Sequence, residues 1–418
     1  LRILHINSVC GVTSTGRITA DIDRRLRETG HESQVAFARK QPRHCPSAVR
    51  FGGNVNFLSH VLYTFITDRH GFASRRATKK LLAIIDRFNP DLIHLQVVHG
   101  YYLNIELLFD KLKVLGRPVV WTFHDCWSFT GHCAYFDYVH CDRWRTECHD
   151  CPAKGDYPIS LLMDASRWNH KQKKRLFLGL PDLTIVTPSA WLADLTRQSF
   201  LRDYPVTVIP NGIDLDCFQP RSDASTMKLP AGKSFLILGV ANVWTRRKGL
   251  QFFLELSSLL GPEDLIVLVG LPRRQAARLP ANILSIERTD SALALAALYS
   301  QADVFVNPTL EDNFPTTNLE ALACGTPVIT FRTGGSVESV VDGQTGYVVE
   351  QGDVLSLLAQ VQMVKHLGKA CFSATCRQRA LDLYDRDRNY QRYIALYESI
   401  LAPACTIASQ EGKETTTP

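Results

Sequence analysis

At 418 residues the chain is too long for one ordinary hydrophobic core and should divide into two domains. Its 45% hydrophobic and 21% charged content fits a folded globular protein and excludes disordered, fibrous and collagen-like classes. Net charge is +6, but residues 1–210 hold 28 Lys and Arg against 19 Asp and Glu, which leaves 19 against 22 for the remainder. The basic excess gathers in Arg75-Arg76, Lys79-Lys80 and Lys171 through Arg175. Such clusters form solvated helix faces, or else meet an anionic membrane surface or a phosphate-bearing ligand. They lack interleaved aromatic residues, so nucleic acid is not an expected partner. No apolar run approaches bilayer length, and the opening LRILHINSV reads as a strand without a leader layout; a cytoplasmic protein with reduced cysteines is expected.

In chain order, short apolar runs alternate with amphipathic stretches. Strands are predicted at 2–7, 33–38, 92–96, 119–123 and 183–187, with helices at 17–29, 75–88 and 104–114 between them. Alternation of this kind implies a parallel sheet covered on both faces. The apolar run 206–209 closes a first domain, 1–209, because Pro210-Asn211-Gly212 forces a turn. A second domain, 210–388, repeats the style, with strands at 235–240, 265–269, 304–306 and 327–331 and helices at 248–260, 291–300 and 316–324. A last helix, 389–402, carries Tyr390, Tyr393 and Tyr397, and the polar tail 403–418 reads as disordered. Two doubly wound domains make the cleft between their strand C-termini the default ligand site.

Several segments carry chemistry-bearing residues. In the loop from Ser8 to Arg17, Thr15 and Gly16 stand where a backbone can approach a ligand and a following helix offers free N–H groups. The loop lacks a GxGxxG spelling, so dinucleotide binding gains no support. His124-Asp125 ends an apolar strand on the side facing the cleft, as does His94; a hydrogen-bonded structural histidine is the alternative. An aromatic-rich insertion at 126–152, with little apparent core of its own, holds Cys133, Cys141, Cys148 and Cys151. Their spacing suits a structural zinc site of four thiolates, with Cys126, His132 or His140 as substitutes, or else unpaired thiols. Arg246, Arg247 and Lys248 precede a helix, where they either neutralise a diphosphate or form a surface charge run.

The segment LEDNFPTTNLEALACGTPVIT, 310–330, sets Asp312 and Glu320 eight positions apart. Asn313-Phe314-Pro315 is turn chemistry, Thr316 or Thr317 is placed to cap a helix, and Gly325 ends it. A carboxylate beside a helix start after a strand suits a nucleotide's ribose and phosphates. Asp21-Ile22-Asp23 and Asp385-Arg386-Asp387 spell DxD inside helical stretches and read as surface acids.

The acidic pair, its small-residue helix with the CGTPV turn, the PNGID junction and His124-Asp125 together resemble family-4 retaining glycosyltransferases. The cysteine insertion, with its HDxWS…TGxC…C…C..CP layout, and the Asp-Asn-Phe-Pro form of the acidic motif resemble the colanic-acid-type exopolysaccharide subgroup. The resemblance implies an α/β GT-B fold of two Rossmann-like domains, acceptor-side first and donor-binding second, with the last helix returning to the first domain. It implies transfer from a nucleotide-diphosphate sugar to a hydroxyl of a glycan or lipid-linked glycan, without a catalytic metal. Residence at the inner face of the cytoplasmic membrane would be peripheral. By the same resemblance, His124 and Asp312 meet the donor sugar, Arg247 and Lys248 its diphosphate, and Glu320 its ribose. Asn313, Phe314, Thr316, Thr15 and Gly16 then complete the donor pocket. Two positions depart from the family: Val243 replaces a phosphate-binding arginine, and Gln96 replaces a second histidine. The rival readings are a sugar-nucleotide epimerase on the same fold and an inactive partner-binding protein.

Overall fold

The computed structural model describes residues 1–221 and 230–402; the tail expected to be disordered, 403–418, lies outside them. The first sheet comprises β1 (Arg2–Asn7), β2 (Glu32–Phe37), β3 (Ala48–Arg50), β4 (Leu92–Leu95), β5 (Val119–Thr122), β6 (Leu183–Thr187) and β7 (Val206–Val208). All pair in parallel, in the order β3-β2-β1-β4-β5-β6-β7. The second comprises β8 (Phe235–Val240), β9 (Asp264–Val269), β10 (Ile283–Ile286), β11 (Val304–Asn307), β12 (Val328–Phe331) and β13 (Gly346–Val349). It is parallel throughout, in the order β10-β9-β8-β11-β12-β13. Helices cover both faces, so β4, β5, β9, β11 and β12 are buried along their whole length.

Each sheet reverses its winding once, between β1 and β4 and between β8 and β11. Loops leaving adjacent strands diverge at such a switch point and open a crevice there. The loops after β8 and β11 carry Lys248 and Asp312, so topology alone brings those two residues to one crevice.

The last helix, Arg386–Leu401, starts three residues before its expected position because Asp385 accepts from the Arg388 N–H. It packs on the first helix, Thr13–Glu28, where Arg24 Nη2 donates to Asp387 Oδ1 at 2.8 Å. Tyr390, Tyr393 and Tyr397 are buried in that contact. The first helix begins at Thr13, four residues earlier than expected, which places Thr15 and Gly16 inside its first turn.

Three expectations are corrected by packing. Asp23 is not a surface acid: it is 1% exposed and accepts from Ser33 Oγ and Ser47 Oγ at 2.6 and 2.7 Å. Lys173 is not on a solvated face either. Its buried ammonium lies 3.3 Å from the Trp127 ring centre and donates to the carbonyls of Trp127 and Thr130. The insertion does have a core, because Trp127, Phe129, Phe136 and Trp144 are buried in one cluster with the domain interior. Aromatic rings supply in few residues the buried area that a longer segment would otherwise need.

Candidate active site

The acidic loop runs from the end of β11 to the helix Thr316–Ala323. Neither threonine caps that helix. Pro315 is the N-cap, contributing fixed backbone geometry in place of a side-chain acceptor. The loop is held from behind by Thr333-Gly334-Gly335. Gly334 has φ +49°, and a Cβ there would lie 2.1 Å from the Asp312 carbonyl oxygen, so only glycine fits without displacing the acid.

Adjacent acids in this loop take opposite roles. The Asp312 carboxylate contacts the Lys248 ammonium directly and lies 3.8 Å from Arg247 Nη1. Burial alone would push the Asp312 carboxyl up, but Lys248 and then Arg247 overcome it and hold it below its ordinary value. Burial lowers Lys248, with Asp312 opposing that shift. Glu311 turns the other way, is fully buried, and accepts backbone N–H bonds from Phe136, Asp137 and Tyr138 of the insertion, the closest at 2.6 Å. Burial pushes its pKa up to about 8, against the pull of those three donors. Of the two arginines, Arg246 faces solvent, while Arg247 turns inward, with its guanidinium 4.0 Å from the Tyr135 ring centre.

Glu320 lies one turn into the helix, 7% exposed, accepting from Tyr299 Oη at 3.1 Å. Burial raises it to about 7, with Arg17 of the first domain and Tyr299 pulling down. On the opposite wall, His124 Nε2 pairs with Gln96 Oε1 at 2.8 Å. An amide oxygen only accepts, so Nε2 carries the proton and Nδ1 keeps its lone pair. Burial lowers His124 to about 4, so it is neutral at pH 7. Gln96 contacts His94 at 3.0 Å, and His94 Nδ1 meets Tyr397 Oη at 2.6 Å. A polar chain thus links the last helix to the cleft through the position where the family histidine is replaced. Beside His124, Asp125 Oδ2 pairs with His99 Nε2 at 3.0 Å.

The two walls are joined. Asn313 Nδ2 donates to the His124 carbonyl at 3.1 Å, and its Oδ1 accepts from Ser189 Oγ. Glu338 accepts from the N–H groups of Ala190 and Trp191 at the start of the helix Ala190–Gln198. These bridges close the cleft and bring His124, Asp312, Arg247 and Lys248 into one neighbourhood. Asn313 serves the closure. Phe314 packs in the core against Tyr384 at 5.9 Å and does not face the cleft. Thr316 is the first residue of its helix and half-buried. Sequence reasoning preferred Asp312 to its neighbour Glu311 by register, giving Glu311 no role, and missed Ser189 and Glu338; the roles of all three exist only once the domains meet.

Cys133, Cys141, Cys148 and Cys151 line one small cavity with His132 and His149. The Gly131 N–H donates to Cys148 Sγ at 3.2 Å. Among the described residues, no three His, Cys, Asp or Glu side chains converge closely enough to hold a metal ion.

Paired Rossmann-like domains with a charged crevice between them are the architecture of GT-B glycosyltransferases, and the chain belongs to that class of enzyme. Residues 15–217 match the model described as Glycosyltransferase Family 4, and residues 234–364 the model described as Glycosyl transferases group 1. The chain is similar to WcaC of Escherichia coli (strain K12), described as a colanic acid biosynthesis glycosyl transferase. They are 28% identical over 323 residues, covering 74% of this chain and 77% of WcaC. In fold it is similar to sucrose-phosphate synthase from Thermosynechococcus elongatus, with TM-score 0.72 and 18% identity over 96% of this chain and 100% of that one. It is also similar to Anabaena HepE, solved in complex with UDP-glucose, with TM-score 0.68 and 15% identity over 95% of this chain and 99% of that one. No helix among the described residues is long and apolar enough to cross a membrane.

Proposed function

We propose that the protein transfers a sugar from a nucleotide-diphosphate donor to a hydroxyl of a glycan or lipid-linked glycan, with retention at the anomeric carbon, in exopolysaccharide assembly. The observation that carries this is the convergence of Arg247, Lys248 and Asp312 from one wall with His124 from the other. The likeness to WcaC supports the exopolysaccharide setting, and the HepE complex makes UDP-sugars the first donors to try.

The reaction breaks the bond between the anomeric carbon and the β-phosphate oxygen, and forms one from that carbon to the acceptor oxygen. The acceptor proton leaves on the β-phosphate. Negative charge grows on the departing phosphate, where Lys248 and Arg247 exchange their contact with Asp312 for the phosphate oxygens. Asp312, freed from Lys248, accepts from the sugar hydroxyls, and Glu320 accepts from the ribose. His124 orients the sugar through its unprotonated Nδ1. Thr15 and Gly16 bring the first turn of their helix to the donor. No step in this scheme uses a metal ion.

A structural zinc drawing the four thiolates of the insertion together is a separate proposal, supported by their shared cavity. Metal analysis of gently purified protein tests it: about one zinc per chain supports it, and none sinks it.

The test of the transfer reading pairs nucleotide release with ligand-induced thermal shift across a panel of nucleotide sugars. Lys248→Ala should cut nucleotide release by at least about 10²-fold and weaken the ligand-induced shift, while circular dichroism shows the chain still folded. Steady conversion of the donor into an epimer, with no acceptor consumed, would replace this reading by the epimerase one.

A further inference from the structure

Helix Asn54–Thr67 is built inside out. It contains no charged residue, and its two buried side chains are His60 and Thr64. Val55, Leu58, Leu62, Phe65 and Ile66 recur at helical spacing on the outward face, with Leu58 63% and Leu62 60% exposed. The segment 157–163 extends this surface. Ile159, Leu161, Leu162 and Met163 are exposed there, and the Leu161 N–H donates to the Phe65 carbonyl, so the two pieces are contiguous. Together with Tyr157 they supply ten of the 21 exposed large hydrophobic residues among the described residues. A contiguous apolar surface of this kind marks an interaction site.

Cations border its helical part, while exposed Asp156 and Asp164 flank the segment 157–163. Residues 39–80 hold nine Lys and Arg and a single acid, Asp68, which is buried. Arg39 stacks on Phe57 of the helix at 3.8 Å. Ser74 contacts His60 at 2.7 Å, which brings the start of helix Arg75–Phe88, with exposed Arg76, Lys79 and Lys80, against the apolar helix. An uncharged apolar helix face bordered by cations complements an anionic bilayer surface. The same rim opposes a two-fold contact between copies, which would set like charges against each other.

We propose that helix 54–67 and segment 157–163 seat the protein on an anionic membrane, with the apolar residues entering the boundary between headgroups and acyl chains. The seat adjoins the acceptor wall. Tyr157 Oη meets His99 Nδ1 at 3.0 Å, and His99 pairs with Asp125, next to His124. A lipid-linked acceptor standing in that membrane therefore reaches His124 without leaving the bilayer; this last step rests on the transfer reading, while membrane seating does not.

Vesicle flotation tests it, using phosphatidylcholine vesicles with and without phosphatidylglycerol. The native chain should float with the anionic vesicles and much less with neutral ones. Leu58→Ser/Leu62→Ser/Leu162→Ser should weaken binding by at least about tenfold, and Arg76→Glu/Lys79→Glu/Lys80→Glu should remove the preference for anionic lipid. Melting temperature and nucleotide release in vesicle-free solution should be unchanged in both. Failure of the native chain to float, or equal flotation of the serine variant, overturns the proposal. A dimer dispersed by the serine variant in a chain that does not float also overturns it and makes the patch an interface between copies. Absence of nucleotide release in solution instead indicts the transfer reading, leaving flotation to be judged separately.

Discussion

Glu320 is buried at 7% exposure, and that burial raises its pKa from 4.5 to about 7 despite the opposing pull of Arg17 and Tyr299. A raised carboxylate pKa means the folded chain binds the proton more tightly than the unfolded chain. The cost to stability is therefore absent below pH 4.5, grows as pH rises toward 7, and is complete above it. At pH 8 the shift corresponds to about 3 kcal/mol, and at pH 5 to about 0.8 kcal/mol. Glu320→Gln removes the ionisation and keeps an oxygen acceptor for the Tyr299 hydroxyl at 3.1 Å. The variant should melt higher than the native chain at pH 8, on the order of 5–10 °C for a domain this size, and nearly match it at pH 5. The same variant should lose thermal stabilisation by a nucleotide sugar. Differential scanning calorimetry at both pH values, with and without UDP-glucose, reads all of these. A lower melting temperature at pH 8, or an equal gain at both pH values, would refute the view that a destabilising carboxylate is kept for ligand recognition.

Lys248→Met should cut turnover by about 10²–10³, the effect of removing one preorganised charge donor, and the loss should fall in kcat rather than in the folded fraction. Glu311→Ala strands the buried Phe136 N–H and removes the acceptor of two half-buried N–H groups of the insertion, and should cost about 2–3 kcal/mol in chemical denaturation. Ser189→Ala combined with Glu338→Ala removes two of the polar bridges across the cleft; small-angle scattering should then show a larger radius of gyration, and an unchanged value would mean these contacts do not hold the closure. Gly334→Ala should destabilise the second domain more than an ordinary surface change, because its Cβ meets the Asp312 carbonyl; a melting temperature within a degree or so of the native chain would contradict the role given to that turn.

The two sheets were legible because burial on both faces leaves continuous apolar runs, as in β8, β9 and β12. Part of what stayed hidden was short or inverted, and the helices Val354–Leu367 and Ala370–Leu383 were also not anticipated. β3 has three residues, too few to show a pattern, and helix Asn54–Thr67 carries its apolar face outward, so periodicity misdescribes what it packs against. In the site, Lys248 and Asp312 could be read from spacing because strand topology fixes where their loops go. The division of labour between Glu311 and Asp312 could not, since it depends on which acid finds three backbone N–H groups from a segment some 170 residues away. Phe314 and Asn313 were read as ligand contacts from resemblance, yet one lies in the core and the other ties the domains together.

The most direct measurement is proton NMR of the product formed when the purified chain is given an α-configured UDP-hexose and a lipid-linked acceptor in anionic vesicles. The anomeric proton of the new linkage should carry the small coupling of an α-glycoside, and the signal should vanish in Lys248→Ala and His124→Ala. A β-linkage would contradict retention. Equal product from either variant would show that the cleft between the two walls is not where the sugar moves.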